Sequence, residues 1–164
     1  MNLHMKTKKL TTIFVLIMIL AIAIGTYNIS LSDFRLSDEN YTYIADLKWY
    51  HSASGLEKGF EVASQENKPV VVYFWAIWCQ YCAKFQSDTL GNPQINKILE
   101  NDYVLVAMDL DVDRDVSGRY GVSYPPYILF LDGKGNVIDR IAGAVDAGTF
   151  LPVVTRVRDQ VRSN

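Results

Sequence analysis

The sequence predicts an α/β domain with a central mixed sheet flanked by helices, carried behind one N-terminal transmembrane helix. Three observations predict it. Apolar, β-rich runs at 70–76 and 103–110 alternate with stretches of helical spacing, the pattern of parallel strands joined by crossovers. Two further apolar runs, 127–131 and 137–142, are separated by Asp132-Gly133-Lys134-Gly135-Asn136 and read as a hairpin that adds an antiparallel edge. Ahead of these, residues 10–29 carry no charge.

Residues 1–9 form a basic tail holding Lys6, Lys8 and Lys9. The uncharged run that follows has the ~20 residues a helix needs to cross a bilayer. Lysines stay on the cytoplasmic side, so the tail is expected inside and the rest of the chain outside. A cleaved signal peptide is the competing reading, but the small residues Ala21-Ile22-Ala23 lie within the apolar run rather than after it. Either way the domain faces the periplasm or cell exterior, where disulfides form and persist. As an anchor, the run makes the chain a single-pass protein of the cell membrane. Residues 30–45 are polar and read as a spacer, leaving 46–164 as the folded domain.

Within the domain, Leu56, Phe60 and Ala63 give 54–66 helical spacing, and Asn67-Lys68-Pro69 ends that helix. The continuous apolar run 70–76 fits a strand buried on both faces. A helix over 79–90 is broken by Gly91-Asn92-Pro93, and a short one over 93–100 has Pro at its first turn. The strand at 103–110 leads into an acidic loop and short helix at 111–120. After the hairpin, Asp146 caps a last helix whose stripe is Phe150, Val153, Val154, Val157 and Val161.

The chain has 16 basic and 18 acidic residues, and three of the lysines precede the first apolar run while no acid occurs before Asp33. The domain is therefore net acidic with no basic block, which argues against nucleic acid as a partner.

The only cysteines are Cys79 and Cys82. A helix start lowers a thiol's pKa, because unpaired backbone N–H groups point at the sulfur and the dipole favours the thiolate. Cys79 sits at that start and Cys82 lies one turn further on the same face. The pattern assigns Cys79 as nucleophile and Cys82 as the resolving cysteine of dithiol–disulfide exchange. A zinc site is disfavoured on ligand count, because four ligands, typically two such pairs, are needed and the chain has one pair, with His4 ahead of the uncharged run and His51 its only histidines. A purely structural disulfide is the other alternative, but so small a loop would stabilise little. The alternating acids Asp109, Asp111, Asp113 and Asp115 suggest calcium or, without the glycine and terminal glutamate of an EF-hand, a solvated loop.

The Phe74-Trp75-Ala76 run before Trp78-Cys79-Gln80-Tyr81-Cys82, then Tyr120-Gly121-Val122, Pro126 and Gly143, resemble a thioredoxin-family domain over about 49–162. Lys84-Phe85, Thr89-Leu90, Asn92-Pro93-Gln94, the 130–135 turn and 146–150 are similar to the carboxy-terminal thioredoxin-like domain of the DsbD disulfide reductases. The resemblance implies a thioredoxin fold, a membrane-anchored thiol–disulfide oxidoreductase favouring reduction, and no cofactor beyond the Cys79–Cys82 pair; a disulfide oxidase or isomerase, and a non-catalytic binding or chaperone module on the same fold, are the alternatives. It implies disulfide-containing extracytoplasmic proteins and an upstream membrane electron donor or acceptor as partners. Pro126 is expected cis and, with Pro125 and Trp78, to shape the substrate groove; Trp78 is expected over the active-site sulfur. Three departures stand out. Tyr73 replaces a frequent buried aspartate, and Ala107 the lysine that partners it, leaving Glu57 or Glu61 as substitute proton acceptors. Pro125 supplies no N–H to a substrate strand. Ser87 replaces a mid-helix proline, so a straighter active-site helix is expected.

Overall fold

A computed structural model of the chain describes residues 15–20 and 41–163. The chain divides into two units, 1–39 and 40–164. Of the first, residues 15–20 are described and are helical. The expected span 10–29 otherwise lies outside the described residues, as do the basic tail and residues 30–40 of the expected spacer. Among the described residues, no helix is long and apolar enough to cross a membrane.

The second unit has one mixed sheet of six strands in the order β1-β2-β4-β3-β5-β6, flanked by helices. The elements are β1 Tyr41–Ile44, β2 Leu47–His51, α1 Ser52–Glu66, β3 Val70–Trp75, α2 Gln80–Phe85, a π-helical turn Gln86–Leu90, α3 Pro93–Asp102, β4 Val104–Asp109, α4 Arg114–Arg119, β5 Tyr127–Leu131, β6 Val137–Ala142 and α5 Ala147–Arg162. The central strands β3 and β4 are parallel, and β2 joins β4 in parallel. On the other side β5 and β6 run antiparallel, as the hairpin signal predicts.

Alternation sorts the side chains of β3 onto two cores. Val70, Val72 and Phe74 face Leu56 and Ala63 of α1. Val71 and Tyr73 face the other way, into a cluster with Cys79, Cys82, Phe85, Ile95, Leu99, Phe150, Val154 and Val157. Five of the six β3 residues are buried, which is why the strand reads as an unbroken apolar run. Asp146 caps α5 by accepting the Thr149 N–H at 2.8 Å. Asp102 at the end of α3 pairs with Arg158 and Arg162 and ties α3 to α5.

Two expectations are corrected. Tyr41–Ile44, inside the stretch expected to be spacer, belong to the sheet, because β1 pairs antiparallel with β2 from Tyr41↔Tyr50 to Ile44↔Leu47. The active-site helix is not made regular by losing its proline. The Gly91 N–H reaches the Gln86 carbonyl at 2.9 Å, a π-type bond that interrupts the α ladder at the place where the proline is absent.

Candidate active site

Strand β3 delivers the chain to a tight turn in which the Cys79 N–H meets the Ala76 carbonyl at 3.1 Å. Cys79 then keeps extended backbone and becomes the N-cap of α2. Its Sγ accepts the backbone N–H of Cys82 at 3.1 Å, and its carbonyl accepts those of Cys82 and Ala83. The two sulfurs are bonded, with Cα atoms 5.2 Å apart. Cys79 is 7% exposed and Cys82 1%, so Cys79 is the more accessible of the two sulfurs. The N–H aimed at Cys79 Sγ is the contact that stabilises a thiolate there once the disulfide opens.

The other expected site residues gather at the same end of the sheet. Tyr127 pairs with Phe74 across β5 and β3, so Pro125 and Pro126, just before Tyr127, lie at the β3 end that leads to Cys79. The Pro125–Pro126 peptide bond is cis. Pro126 is buried and its carbonyl accepts the Gly143 N–H at 2.9 Å, while Pro125 is half-buried. Tyr124 stands edge-on to Tyr127, with ring centroids 6.1 Å apart. Gly143 has a φ of +89°, a conformation that favours glycine.

Trp78 is 62% exposed, and its indole N–H donates to the Asp111 carboxylate at 2.8 Å. The sequence does not reveal this partner, because Asp111 lies in an acidic run that reads as solvated loop. Gln86 is the second residue that sequence reasoning misses. Its side-chain amide donates to the Tyr73 hydroxyl at 3.3 Å. Tyr73 is fully buried between the rings of Trp49 and Phe85. Burial pushes its hydroxyl up to about 12, against a smaller opposing effect of the Gln86 bond, so it stays neutral in the working range.

The position where the resemblance implies a buried aspartate thus holds a neutral hydrogen-bonded pair, Tyr73 and Gln86. No charged side chain of the described residues is buried. Glu57 and Glu61 are removed as proton acceptors for Cys82. They are exposed on α1, which packs on the opposite face of the sheet, and Glu61 pairs with Lys58. Ala107, opposite Tyr73 on β4, lines a cleft of about 340 Å³ with His51, Trp75, Asp109 and Asp113. Among the described residues, no group of three or more His, Cys, Asp or Glu side chains is placed to hold a metal ion.

Burial raises the Asp113 carboxyl, and the Asp109 charge raises it further, against the Asp109 backbone N–H and the His51 charge. The sign of the pH effect follows. The folded protein holds this proton more tightly than the unfolded chain, whose carboxyl titrates near about 3.9. The stability contribution is present below that value and is lost as pH rises through the raised one. We expect Asp113→Asn to flatten this decline above about pH 4, measured by urea unfolding across pH.

Comparison with known proteins agrees with this geometry. The family model described as a thioredoxin-like domain matches residues 56–158. The thiol:disulfide interchange protein DsbD of Pseudomonas sp. (strain JR1 / K1) is 31% identical over 130 residues, which cover 76% of this chain and 21% of that protein. The chain thus spans about a fifth of the length of the curated relatives it matches. Among solved structures, a thioredoxin from Thermus thermophilus is 25% identical with a TM-score of 0.60, covering 68% of this chain and 86% of that one. The oxidised C-terminal domain of DsbD from Neisseria meningitidis shares the fold, with a TM-score of 0.57 and 22% identity over 66% of this chain and 97% of that domain.

Proposed function

Since the chain belongs to the thioredoxin-like family, and has the Cys79–Cys82 pair of its oxidoreductases, we propose that it is a membrane-anchored, extracytoplasmic reductase of protein disulfides. The observation that carries the chemistry is the Cys82 N–H aimed at Cys79 Sγ, with Cys79 the more exposed of the two.

In the reduced protein, the Cys79 thiolate attacks one sulfur of a substrate disulfide. A mixed disulfide forms and the first substrate sulfur leaves as a thiolate. Cys82 loses its proton to solvent and attacks Cys79 Sγ, which breaks the mixed disulfide and releases the second substrate thiolate. Two electrons pass from the dithiol to the substrate, whose thiolates take up protons from water. Trp78, Pro125 and Pro126 form the groove for the substrate segment. Pro125 offers that segment a carbonyl but no N–H, so pairing with it is one-sided.

An upstream membrane dithiol must return the electrons. The anchor is supported by the uncharged run 10–29 behind its lysines, and the reducing direction by similarity to DsbD. The reduction potential tests the direction. A value near that of thioredoxin, about −270 mV, is expected; one near about −120 mV would make the protein an oxidase.

A further inference from the structure

The loop that joins β6 to α5, Gly143-Ala144-Val145-Asp146, is fastened to two other parts of the chain. At one end the Gly143 N–H donates to the Pro126 carbonyl at 2.9 Å. Two residues on, the Val145 carbonyl accepts the Thr89 hydroxyl at 2.6 Å. Asp146 then closes the loop onto α5, where its carboxylate and its carbonyl accept the Thr149 N–H at 2.8 and 3.2 Å. Thr89 lies near the end of the helical run that Cys79 caps, since α2 passes directly into the turn Gln86–Leu90. One short loop thus links the far end of the cysteine helix to the back of the proline loop.

Of the described serines and threonines, only Thr89 and Ser117 are buried. Ser117 satisfies its hydroxyl within its own turn, on the Arg114 carbonyl, as a residue of this kind in a helix commonly does. Thr89 instead reaches a carbonyl 56 positions along the chain. Burying a hydroxyl has a desolvation cost that an apolar side chain of the same shape avoids. Adhesion between the two elements does not require it, because Phe85 of α2 already packs edge-on against Phe150 of α5, with ring centroids 5.3 Å apart. What the hydroxyl adds is direction, one bond of defined length and angle to a backbone carbonyl.

We propose that Thr89 is a positioning residue for exchange with protein disulfides. Through Val145 and Gly143 it fixes where the Pro125-Pro126 wall of the substrate groove stands relative to Cys79. The role presupposes the oxidoreductase reading, and it gives the groove's geometry to a residue that touches no substrate. A protein segment must lie along the proline wall while its sulfur meets Cys79, so a small displacement of the wall misplaces the reacting sulfur. A small disulfide has no segment to lay there and engages Cys79 alone.

The test uses the full chain with two substrates. Insulin, a protein disulfide, is followed in turnover with dithiothreitol as reductant. A small disulfide, 5,5′-dithiobis(2-nitrobenzoate), is followed in a single turnover of pre-reduced protein. Thr89→Val keeps the branched shape and removes the hydroxyl. It is expected to raise KM for insulin roughly three- to tenfold, the scale of one hydrogen bond. Its effect on kcat, and on the rate with the small disulfide, is expected to be smaller. Thr89→Ser keeps the hydroxyl and should restore most of the insulin KM, although it loses a buried methyl group and with it some stability. A purely structural role would instead make KM follow stability in both variants, measured by urea unfolding. Gly143→Ala tests the other end of the bridge and stands in if Thr89→Val does not fold. Its Cβ meets no described heavy atom within 4 Å, but a φ of +89° strains any side chain there, and insulin KM should rise on the same scale. The role is overturned if Thr89→Val or Gly143→Ala leaves the insulin KM unchanged, if both disulfides lose equally, or if Thr89→Ser is as impaired as Thr89→Val. Wild-type protein that reduces neither disulfide would overturn the oxidoreductase reading, and the positioning role with it.

Discussion

Replacing Cys79 by serine is expected to slow protein-disulfide exchange by a factor on the order of 10³ or more, the scale of losing a covalent nucleophile. A serine hydroxyl at the same N-cap can still accept the Cys82 N–H that Cys79 Sγ accepts at 3.1 Å. The fold should therefore survive, and the loss will report chemistry. Cys82→Ser separates the two half-reactions. Cys79 still attacks, but nothing resolves the adduct, so a stoichiometric mixed disulfide should accumulate after one turnover and then stop. Non-reducing mass analysis measures that adduct, and its other half identifies the partner. A Cys79→Ser protein that exchanged disulfides at the wild-type rate would sink the assignment. The asymmetry in exposure between the two sulfurs makes the roles non-interchangeable, and the reverse pattern of trapping would be equally damaging.

Most of this site is legible in the sequence because its determinants are local. An apolar strand, a cysteine at a helix start and a second one turn later need no tertiary information. The Asp146 cap and the hairpin at 132–136 are local signals too. What the sequence hides is fixed by partners far along the chain. Strand β1 has only four residues, and its turn places Ala45 and Asp46 at φ of 52° and 61°. Turns of that kind usually announce themselves with glycine or asparagine; here neither is present, so the pairing of β1 with β2 must hold the turn. The Trp78–Asp111 bond spans 33 positions, and nothing in an alternating acidic run distinguishes the aspartate that meets Trp78. Gln86 meets Tyr73 only because the helix after Cys82 packs back on β3. The π-type turn at 86–90 follows a similar logic. The Thr89 hydroxyl donates to the Val145 carbonyl at 2.6 Å, a tertiary contact that a helix-propensity argument cannot see.

Tyr73→Asp, which puts a carboxylate where the wider family often has one, is expected to destabilise this protein by about 3–5 kcal/mol, the range for truncating a large core side chain. The aromatic ring is wedged between Trp49 and Phe85, with ring centroids 5.9 and 5.8 Å away, and no described cation is buried beside it. The substitution would therefore open a cavity and leave a carboxyl with Gln86 as its one identified polar neighbour. Such a carboxyl keeps its proton in the fold, while in the unfolded chain it ionises near about 3.9. The unfolded state binds fewer protons above that pH, so the destabilisation deepens as pH rises through the raised folded value. Tyr73→Phe is the contrasting variant. It removes only the hydroxyl, leaves the Gln86 amide without that acceptor and should cost about 1 kcal/mol. It should also keep its pH profile of exchange, since a hydroxyl pushed up to about 12 carries no charge in the working range. Urea unfolding of both variants at two pH values, with the cysteine pair held oxidised, measures the stability effects. If Tyr73→Asp proved as stable as wild type, the neutral Tyr73–Gln86 pair would not be what replaces the buried charge. The aromatic packing that now fills that place would then be incidental.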